Sequence, residues 1–248
     1  ERGRNGGSGV RAAIALPALL GKLGSGSGVL LGAGKSFPKT FDKLQRPDLL
    51  PPGTRTMNIM DVSRHLERDD IDPPLRALFI YNHNPIVVHA DQNRMKRALA
   101  REDIFLVGIE LAMTESMQYC DVVLPATTHF ENDDIYSSYG HHWLQRAEAV
   151  IPPIGEALPN TEIFRRLAAR FGYDEPCFKV TDRELIDDAL DGADHRLRGM
   201  KPSEIPVGEP LRMVAQDGKP ITLFDNIMPK TPSGKIELIS DFLAERWG

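Results

Sequence analysis

The stretch from residue 77 to residue 121 constrains the fold of this chain more than any other. Two short apolar runs, residues 77–81 and 104–107, flank a polar loop and a segment at residues 91–101 in which apolar side chains recur at helical spacing. Short apolar runs bounded by turn signals are typical of strands that are buried on both faces. The order strand, loop, helix, strand predicts a βαβ unit, which has parallel strands and a right-handed crossover.

Polar residues follow both predicted strands, at the place where open parallel sheets bind their ligands. Pro85 keeps the loop after the first strand from continuing as strand or helix, and residues 108–114 follow the second strand. Because parallel strands end at the same edge of a sheet, the two loops are expected to lie side by side. The candidate binding residues in them are Asn82, His83, Asn84, Glu110 and Thr114.

The rest of the chain adds further elements to this unit. Residues 121–124, which begin with Asp121, predict a third short strand, and the polar residues 127–142 predict an irregular loop. Further helices are predicted at residues 8–20 with Ser8 as the cap, at 58–67, at 160–171 with Asn160 as the cap, and from a capping box at 181–184 to residue 190. The predicted fold class is α/β, a mainly parallel sheet with flanking helices, Rossmann-like.

Composition excludes several classes of protein. The net charge of −5 over 248 residues argues against a nucleic-acid-binding protein, since no basic face dominates, and no apolar run approaches the roughly 20 residues that a membrane helix needs. The two cysteines form no CxxC pair, and the seven histidines show no ligand-like spacing, so no disulfide framework and no metal site are predicted. The chain lacks an initiator Met and is expected to be a fragment, with the cytoplasm as its default compartment.

The sequence offers no convincing catalytic set. No GxGxxG opens a helix after a strand, and no GxSxG nucleophile elbow is present. Cys120 stands directly before an apolar strand, where a free cysteine usually behaves as a small hydrophobic residue. No catalytic residue is therefore predicted. Two alternatives stay open beside a cofactor-binding domain: a stand-alone Rossmann-type enzyme that acts on a small nucleotide, and a non-catalytic interaction module.

Four stretches, in order and spacing, resemble the second half of the molybdopterin-guanine-dinucleotide oxidoreductases, the superfamily of formate dehydrogenase, nitrate reductase and dimethyl sulfoxide reductase. The third stretch is fairly specific, and the four together are much stronger evidence than any one of them. The four are Asn5-Gly-Gly with residues 16–24, Tyr81-Asn-His-Asn-Pro85, Thr114 with residues 121–127 and Glu131, and Thr231-Pro-Ser-Gly-Lys-Ile-Glu237. The resemblance implies an interior α/β domain of a catalytic subunit.

The resemblance also implies what this domain holds and what surrounds it. In the family it grips molybdopterin guanine dinucleotide, while molybdenum or tungsten and an iron–sulfur cluster are ligated by other segments. The implied partners are the remaining domains of the parent enzyme and an electron-transfer subunit, and the isolated chain is expected to be inactive. The implied division is a glycine-rich entry segment at residues 1–36, a dinucleotide-binding domain at 37–235, and a junction at 236–248 towards a C-terminal β-barrel domain.

The candidates are the five loop residues and Asp121, and four of these six have both a functional and a structural interpretation. The resemblance implies that the Asn84 carboxamide offers a donor and an acceptor to the nucleotide, whereas the residues alone favour a turn before Pro85. The Glu110 carboxylate accepts two hydrogen bonds from guanine or binds ribose hydroxyls, or it is a solvated charge. Thr114 caps the following turn or touches the ligand, with capping favoured, and Asp121 bonds neighbouring backbone amides in preference to the cofactor.

Overall fold

The computed structural model describes residues 6–24, 37–222, 224–227 and 229–247. Residues 25–36 of the predicted entry segment, and Asn5 of the first family stretch, lie outside the described residues. The chain divides into two compact units, the antiparallel unit (the described residues of Glu1–Phe41, Ile135–Ala147 and Ile186–Gly248) and the parallel-sheet unit (Asp42–Asp134 and Glu148–Leu185). The division predicted at residues 36 and 235 concerns the domains of a parent enzyme and stays a prediction.

Short elements make up both units. The described helices are α1 (Gly6–Leu19), α2 (Phe41–Gln45), α3 (Val62–Leu66), α4 (Pro85–Val88), α5 (Gln92–Leu99), α6 (Asn160–Phe171), α7 (Asp182–Ala189) and α8 (Asp241–Trp247). The described strands are β1 (Ala77–Tyr81), β2 (Phe105–Glu110), β3 (Val122–Pro125), β4 (Asp134–Tyr136), β5 (Trp143–Ala147) and β6 (Leu211–Arg212). None of these helices has the length and apolar character that a membrane crossing requires.

The parallel-sheet unit is built on a three-stranded sheet of order β1-β2-β3 in which both pairings are parallel. The register places Tyr81 beside Ile109 and Glu110 beside Pro125, so all three strands end at one edge. This confirms the predicted α/β class and the βαβ unit, because α5 lies in the chain between β1 and β2.

One face of this sheet carries the core, and the other face of β1 is exposed. Ile80 is only 4% exposed and packs in the same cluster as Met95 of α5 and Leu66 of α3. Phe79 and Tyr81 point to the opposite face and are 43% and 47% exposed. The prediction that β1 is buried on both faces is therefore wrong for this chain. The sequence does not show the alternation between buried and exposed positions of β1, because the exposed positions are also occupied by apolar residues.

Helix α6 has the predicted bounds, residues 160–171, but not the predicted cap. It ends at Gly172, which takes the left-handed conformation (φ 77°) that suits a glycine after a helix. Asn160 is not its cap: the helix begins at Asn160 itself, and the cap position is held by Pro159, which forms no side-chain hydrogen bond. The capping box is confirmed, because the Thr181 amide and hydroxyl both donate to Glu184 Oε2 at 2.7 Å.

The antiparallel unit contains secondary structure that was not predicted from the sequence. Residues 127–142, predicted to be irregular, include the three-residue strand β4, which joins β5 and β6 in a second sheet. The pairing of β5 with β6 is antiparallel and sets Leu144 beside Leu211. In α1, Ser8 lies inside the helix, which begins at Gly6, so the predicted Ser8 cap is wrong.

Candidate functional site

The candidate site is the edge of the parallel sheet where β1, β2 and β3 all end. Three connections meet there: the loop after β1, the loop after β2, and the turn after β3. The third connection leads back to the start of α6, because the Leu158 amide donates to the Pro125 carbonyl and the Thr127 amide donates to the Leu158 carbonyl, both at 3.1 Å. The first turn of α6 therefore belongs to the same edge as the predicted loops.

Asn82 leaves β1 in the left-handed conformation, with φ at 52°. Asparagine tolerates that conformation better than most side chains, which explains a sharp change of direction at this position. Its Oδ1 accepts a hydrogen bond of 2.9 Å from Asn160 Nδ2 in the first turn of α6. The sequence predicted Asn82 as a site residue and Asn160 as a cap, and the structure joins the two.

The Asn84 side chain is engaged on both sides. Its Nδ2 donates to Glu115 Oε2 at 3.0 Å, and its Oδ1 accepts from the Ser116 hydroxyl at 2.6 Å. The hydrogen bond from Asn84 lowers the pKa of the Glu115 carboxyl. Asn84 therefore connects the loop after β1 to the loop after β2, in addition to standing before Pro85.

His83 and His89 form a pair in the first loop. Their Nε2 atoms are 2.8 Å apart, so one neutral ring donates to the other, and the rings meet edge to face. His89 is buried, and its Nδ1 has no hydrogen-bond partner among the described residues. Burial lowers the pKa of His89, and the neighbouring His83 lowers it further.

Glu110 and Thr114 bracket the second loop. Glu110 Oε1 accepts from the Leu111 amide at 2.7 Å, which leaves most of the carboxylate's acceptor sites for another partner. The Thr114 hydroxyl is buried without a hydrogen-bond partner in the described part of the chain, so it does not cap the next turn. Leu111 and Met113 between them are 58% and 62% exposed. The loop thus offers acceptors beside an exposed apolar surface.

Asp121 lies at the opposite end of the sheet from these residues. Its Oδ2 accepts from the Leu106 amide at 2.7 Å, and its own amide donates to the Leu106 carbonyl at 2.9 Å. These bonds tie the start of β3 to the start of β2, in line with the structural interpretation that the sequence favoured. The structure does not bring Asp121 together with Asn82, Asn84 and Glu110.

Glu131 is the buried carboxylate of the turn after β3, and sequence reasoning noted it only as part of a family stretch. It is 5% exposed, and it accepts from the Thr128 amide and hydroxyl and from the Ile154 amide, each at 2.7 Å. The Thr128 amide contributes most to holding the pKa of Glu131 below its usual range. A threonine three residues before a glutamate was the available signal for this turn.

A cavity of about 270 Å³ opens at the end of β1, next to Asn82. Two polar atoms of its lining residues, Asn160 Oδ1 and Thr161 Oγ1, are buried without a hydrogen-bond partner among the described residues. The lining residues are Tyr81, Asn82, Asn160, Thr161, Phe164, Arg165, Cys177, Phe178 and Leu185. In the described part of the chain, no group of three or more His, Cys, Asp or Glu side chains could hold a metal ion.

The chain is similar to known proteins over most of its length. The family model described as molybdopterin oxidoreductase matches residues 2–170. The chain is 42% identical over 242 residues to the probable oxidoreductase YoaE of Bacillus subtilis, covering 96% of this chain and 34% of YoaE. It is 29% identical over 188 residues to the trimethylamine-N-oxide reductase of Haemophilus influenzae, covering 68% of this chain and 22% of the reductase.

A solved structure supports the same relationship. Acetylene hydratase from Pelobacter acetylenicus superposes with a TM-score of 0.58 at 25% identity, over 77% of this chain and 25% of the hydratase. The chain thus spans about a third or less of the length of each of these relatives. The matched residues include all three strands of the parallel sheet and the loops that follow β1 and β2. The chain belongs to the molybdopterin oxidoreductase family.

Proposed function

We propose that this chain is the part of a molybdenum- or tungsten-dependent oxidoreductase that holds the nucleotide end of molybdopterin guanine dinucleotide. The ligand would lie across the carboxyl ends of β1 and β2, as in Rossmann-like sheets. One observation carries the proposal: the loop after β2 combines the Glu110 carboxylate, the unpartnered Thr114 hydroxyl, and the exposed side chains of Leu111 and Met113. Family membership supports a molybdopterin cofactor, and the guanine form is our inference.

The residues at this edge fit a purine nucleotide. A carboxylate accepts from the N1–H and N2–H₂ donors of guanine, whereas adenine presents an acceptor at N1, so Glu110 favours guanine. The buried Thr114 hydroxyl lacks the hydrogen bond that buried polar groups normally form, and a ligand oxygen or nitrogen would supply it after a small shift of the loop. Exposed Leu111 and Met113 provide apolar contact for a flat ring system.

The cofactor would bring the reactive metal, and this chain would bind and orient the nucleotide. A formate dehydrogenase-type parent, its iron–sulfur cluster, its electron-transfer subunit and its cytoplasmic location stay proposals from the resemblance. Trimethylamine-N-oxide reductase and acetylene hydratase are similar to 68% and 77% of this chain, which supports a domain that accompanies more than one reaction. We expect no substrate turnover by this chain alone, because it would hold only part of the cofactor.

The test is a nucleotide titration of the 248-residue chain, followed by amide chemical shifts. GDP is expected to bind with about millimolar affinity, since a few hydrogen bonds of ~1 kcal/mol net must offset the cost of association. The shifts should cluster at residues 82–88 and 108–114, and ADP should bind more weakly. Glu110→Gln should remove most of the preference for GDP, because an amide cannot accept from both guanine donors.

Glu102→Gln is the matched control, since it makes the same chemical change at the exposed turn before β2, at the other end of that strand. It should leave GDP binding unchanged. Equal responses to GDP and ADP, or a Glu110→Gln chain that still prefers GDP, would show that Glu110 does not read the base. Shifts confined to residues outside the two loops would place the nucleotide elsewhere, and no binding at all would favour an interaction module that lacks the cofactor.

A further inference from the structure

The loops after β1 and β2 are joined by a chain of three hydrogen bonds with one direction. The Ile86 amide donates to Ser116 Oγ at 3.1 Å, Ser116 donates its only proton to Asn84 Oδ1 at 2.6 Å, and Asn84 Nδ2 donates to Glu115 Oε2 at 3.0 Å. Ser116 is fully buried, and Glu115 is on the surface. We call Asn84, Glu115 and Ser116 the Asn84 clamp.

The donors and acceptors of the clamp fix the orientation of the Asn84 carboxamide. A backbone N–H can only donate, so the Ser116 oxygen accepts from Ile86 and must direct its proton to Asn84 Oδ1. A carboxylate can only accept, so Nδ2 must face Glu115. Turning the carboxamide over would set Oδ1 against the carboxylate and Nδ2 against a hydroxyl that needs an acceptor. One N–H and one lone pair of Asn84 are left for another partner.

The clamp replaces the bond that this asparagine would ordinarily form. Asn84 stands at the cap position of α4, where an asparagine side chain usually accepts from an amide of the first helical turn. Here it forms no cap bond, and the Ile86 amide in that turn is satisfied by Ser116 from the other loop. Ser116 therefore satisfies the helix amide that Asn84 would ordinarily cap. The Asn84 side chain is then available for hydrogen bonds to the loop after β2.

We infer that Ser116 and Glu115 are positioning residues of the nucleotide site. They hold the free N–H and lone pair of Asn84 in a fixed direction, and they make the loop with Asn84 and the loop with Glu110 and Thr114 a single surface. The inference rests on the proposed function, because it assigns a role in binding the same ligand. Without either residue the Asn84 carboxamide can rotate, so the free energy of ligand binding must offset the entropic cost of ordering it again.

The test compares Glu115→Ala, Glu115→Gln and Ser116→Ala in the full chain. Without nucleotide, the Asn84 side-chain NH₂ signals should shift in Glu115→Ala, which reports the bond directly. With GDP, Glu115→Ala and Ser116→Ala should each weaken binding roughly fivefold, the equivalent of one net hydrogen bond, and Glu115→Gln should restore affinity to within about twofold, because its carbonyl still accepts. The melting temperature is recorded for each variant. Substitutions of Glu115 should leave it unchanged, because that side chain is on the surface.

The outcomes separate the two proposals. If the Asn84 signals shift but Glu115→Ala and Ser116→Ala bind GDP as well as the wild type, the clamp is structural and the inference is wrong, while the proposed function stands. If the Asn84 signals do not shift, the hydrogen bond is wrong and the inference fails with it. If Glu115→Gln binds as weakly as Glu115→Ala, the acceptor role is overturned. A wild-type chain that binds no GDP overturns both proposals.

Discussion

The core of the parallel-sheet unit is formed by residues on strands and helices, whereas the core of the antiparallel unit is formed mainly by residues between them. In the first, Ile80, Leu106 and Met95 lie on β1, β2 and α5. In the second, Ile205 and Met213 lie outside any helix or strand and are fully buried. In the first core, the buried residues recur with the period of the strand or helix that carries them. In the second core, burial depends on the path that the connecting segments take. The two cores should therefore respond differently to the same substitution.

The largest expected effect comes from a matched pair of leucines. Leu106 on β2 is 2% exposed, and Leu197, in a single 3₁₀ turn of the antiparallel unit, is 0% exposed. Leu106→Ala should lower the free energy of unfolding by about 4 kcal/mol, because a sheet cannot collapse into the cavity, and Leu197→Ala by about 2–3 kcal/mol, because a turn can. Urea unfolding measures the free energy of unfolding of each variant, with amide hydrogen exchange to follow each unit separately. The reverse ranking of the two leucines would contradict the comparison.

A matched pair of glycines gives the next effect. A Cβ at Gly108 on β2 would overlap Met117 Sδ and lie 3.0 Å from Cys120 Sγ, and Met117 is fully buried. At Gly192 the nearest atom would be Lys201 Cγ at 3.7 Å. Gly108→Ala should cost about 2 kcal/mol through overpacking, and Gly192→Ala should be close to neutral. Urea unfolding checks this, and a Gly108→Ala chain as stable as the wild type would mean that Met117 has room to move.

The smallest expected effect concerns one histidine in each unit. Burial lowers the pKa of His89 and of His142, and a neighbouring histidine, His83 or His141, lowers each further. A histidine with a lowered pKa binds fewer protons when folded, so the stability it contributes is present above its ordinary pKa of about 6.5 and is lost as the pH falls below it. Both units should lose stability together in that range.

Histidine ring NMR from pH 8 to pH 4.5 measures the two titrations. His83→Ala should raise the pKa of His89 part of the way towards its ordinary value and leave that of His142 unchanged. His141→Ala should do the converse, which makes each variant the control for the other. A titration of His89 at or above the ordinary value in the wild type would contradict the buried environment of this ring.

The sequence predicted the parallel sheet better than any other part of the fold. The runs that became β1, β2 and β3 are bounded by turn signals and joined by short connections, so local pattern and tertiary pairing agree. The strands β4 and β6 have three and two residues, too few to show a period, and they exist only through pairing with β5. The Asn160 cap was wrong because a cap and a first-turn position look alike in sequence.

The candidate site was predicted in outline and not in its contacts. Position at the ends of adjacent strands indicated the loops with Asn82 and Glu110, and the resemblance to the family indicated a binding role for Asn84. The partners of Asn84 lie 31 and 32 residues further along the chain, and that of Asn82 lies 78 residues away. No local period reports contacts of that separation, because they depend on the register between strands. The functional assignments of all six candidate residues stay predictions until a nucleotide is titrated.

The strand register also has a consequence for the order of folding. The parallel sheet pairs Phe79 with Val107 and Val107 with Val122, so its partners are complete once the chain has been synthesised to the end of β3. The antiparallel sheet pairs Leu144 with Leu211 and must close a much longer loop. Loop closure costs more as the loop lengthens, and distant pairings slow folding. We expect the sheet that carries the nucleotide site to form first, while the chain is still emerging from the ribosome.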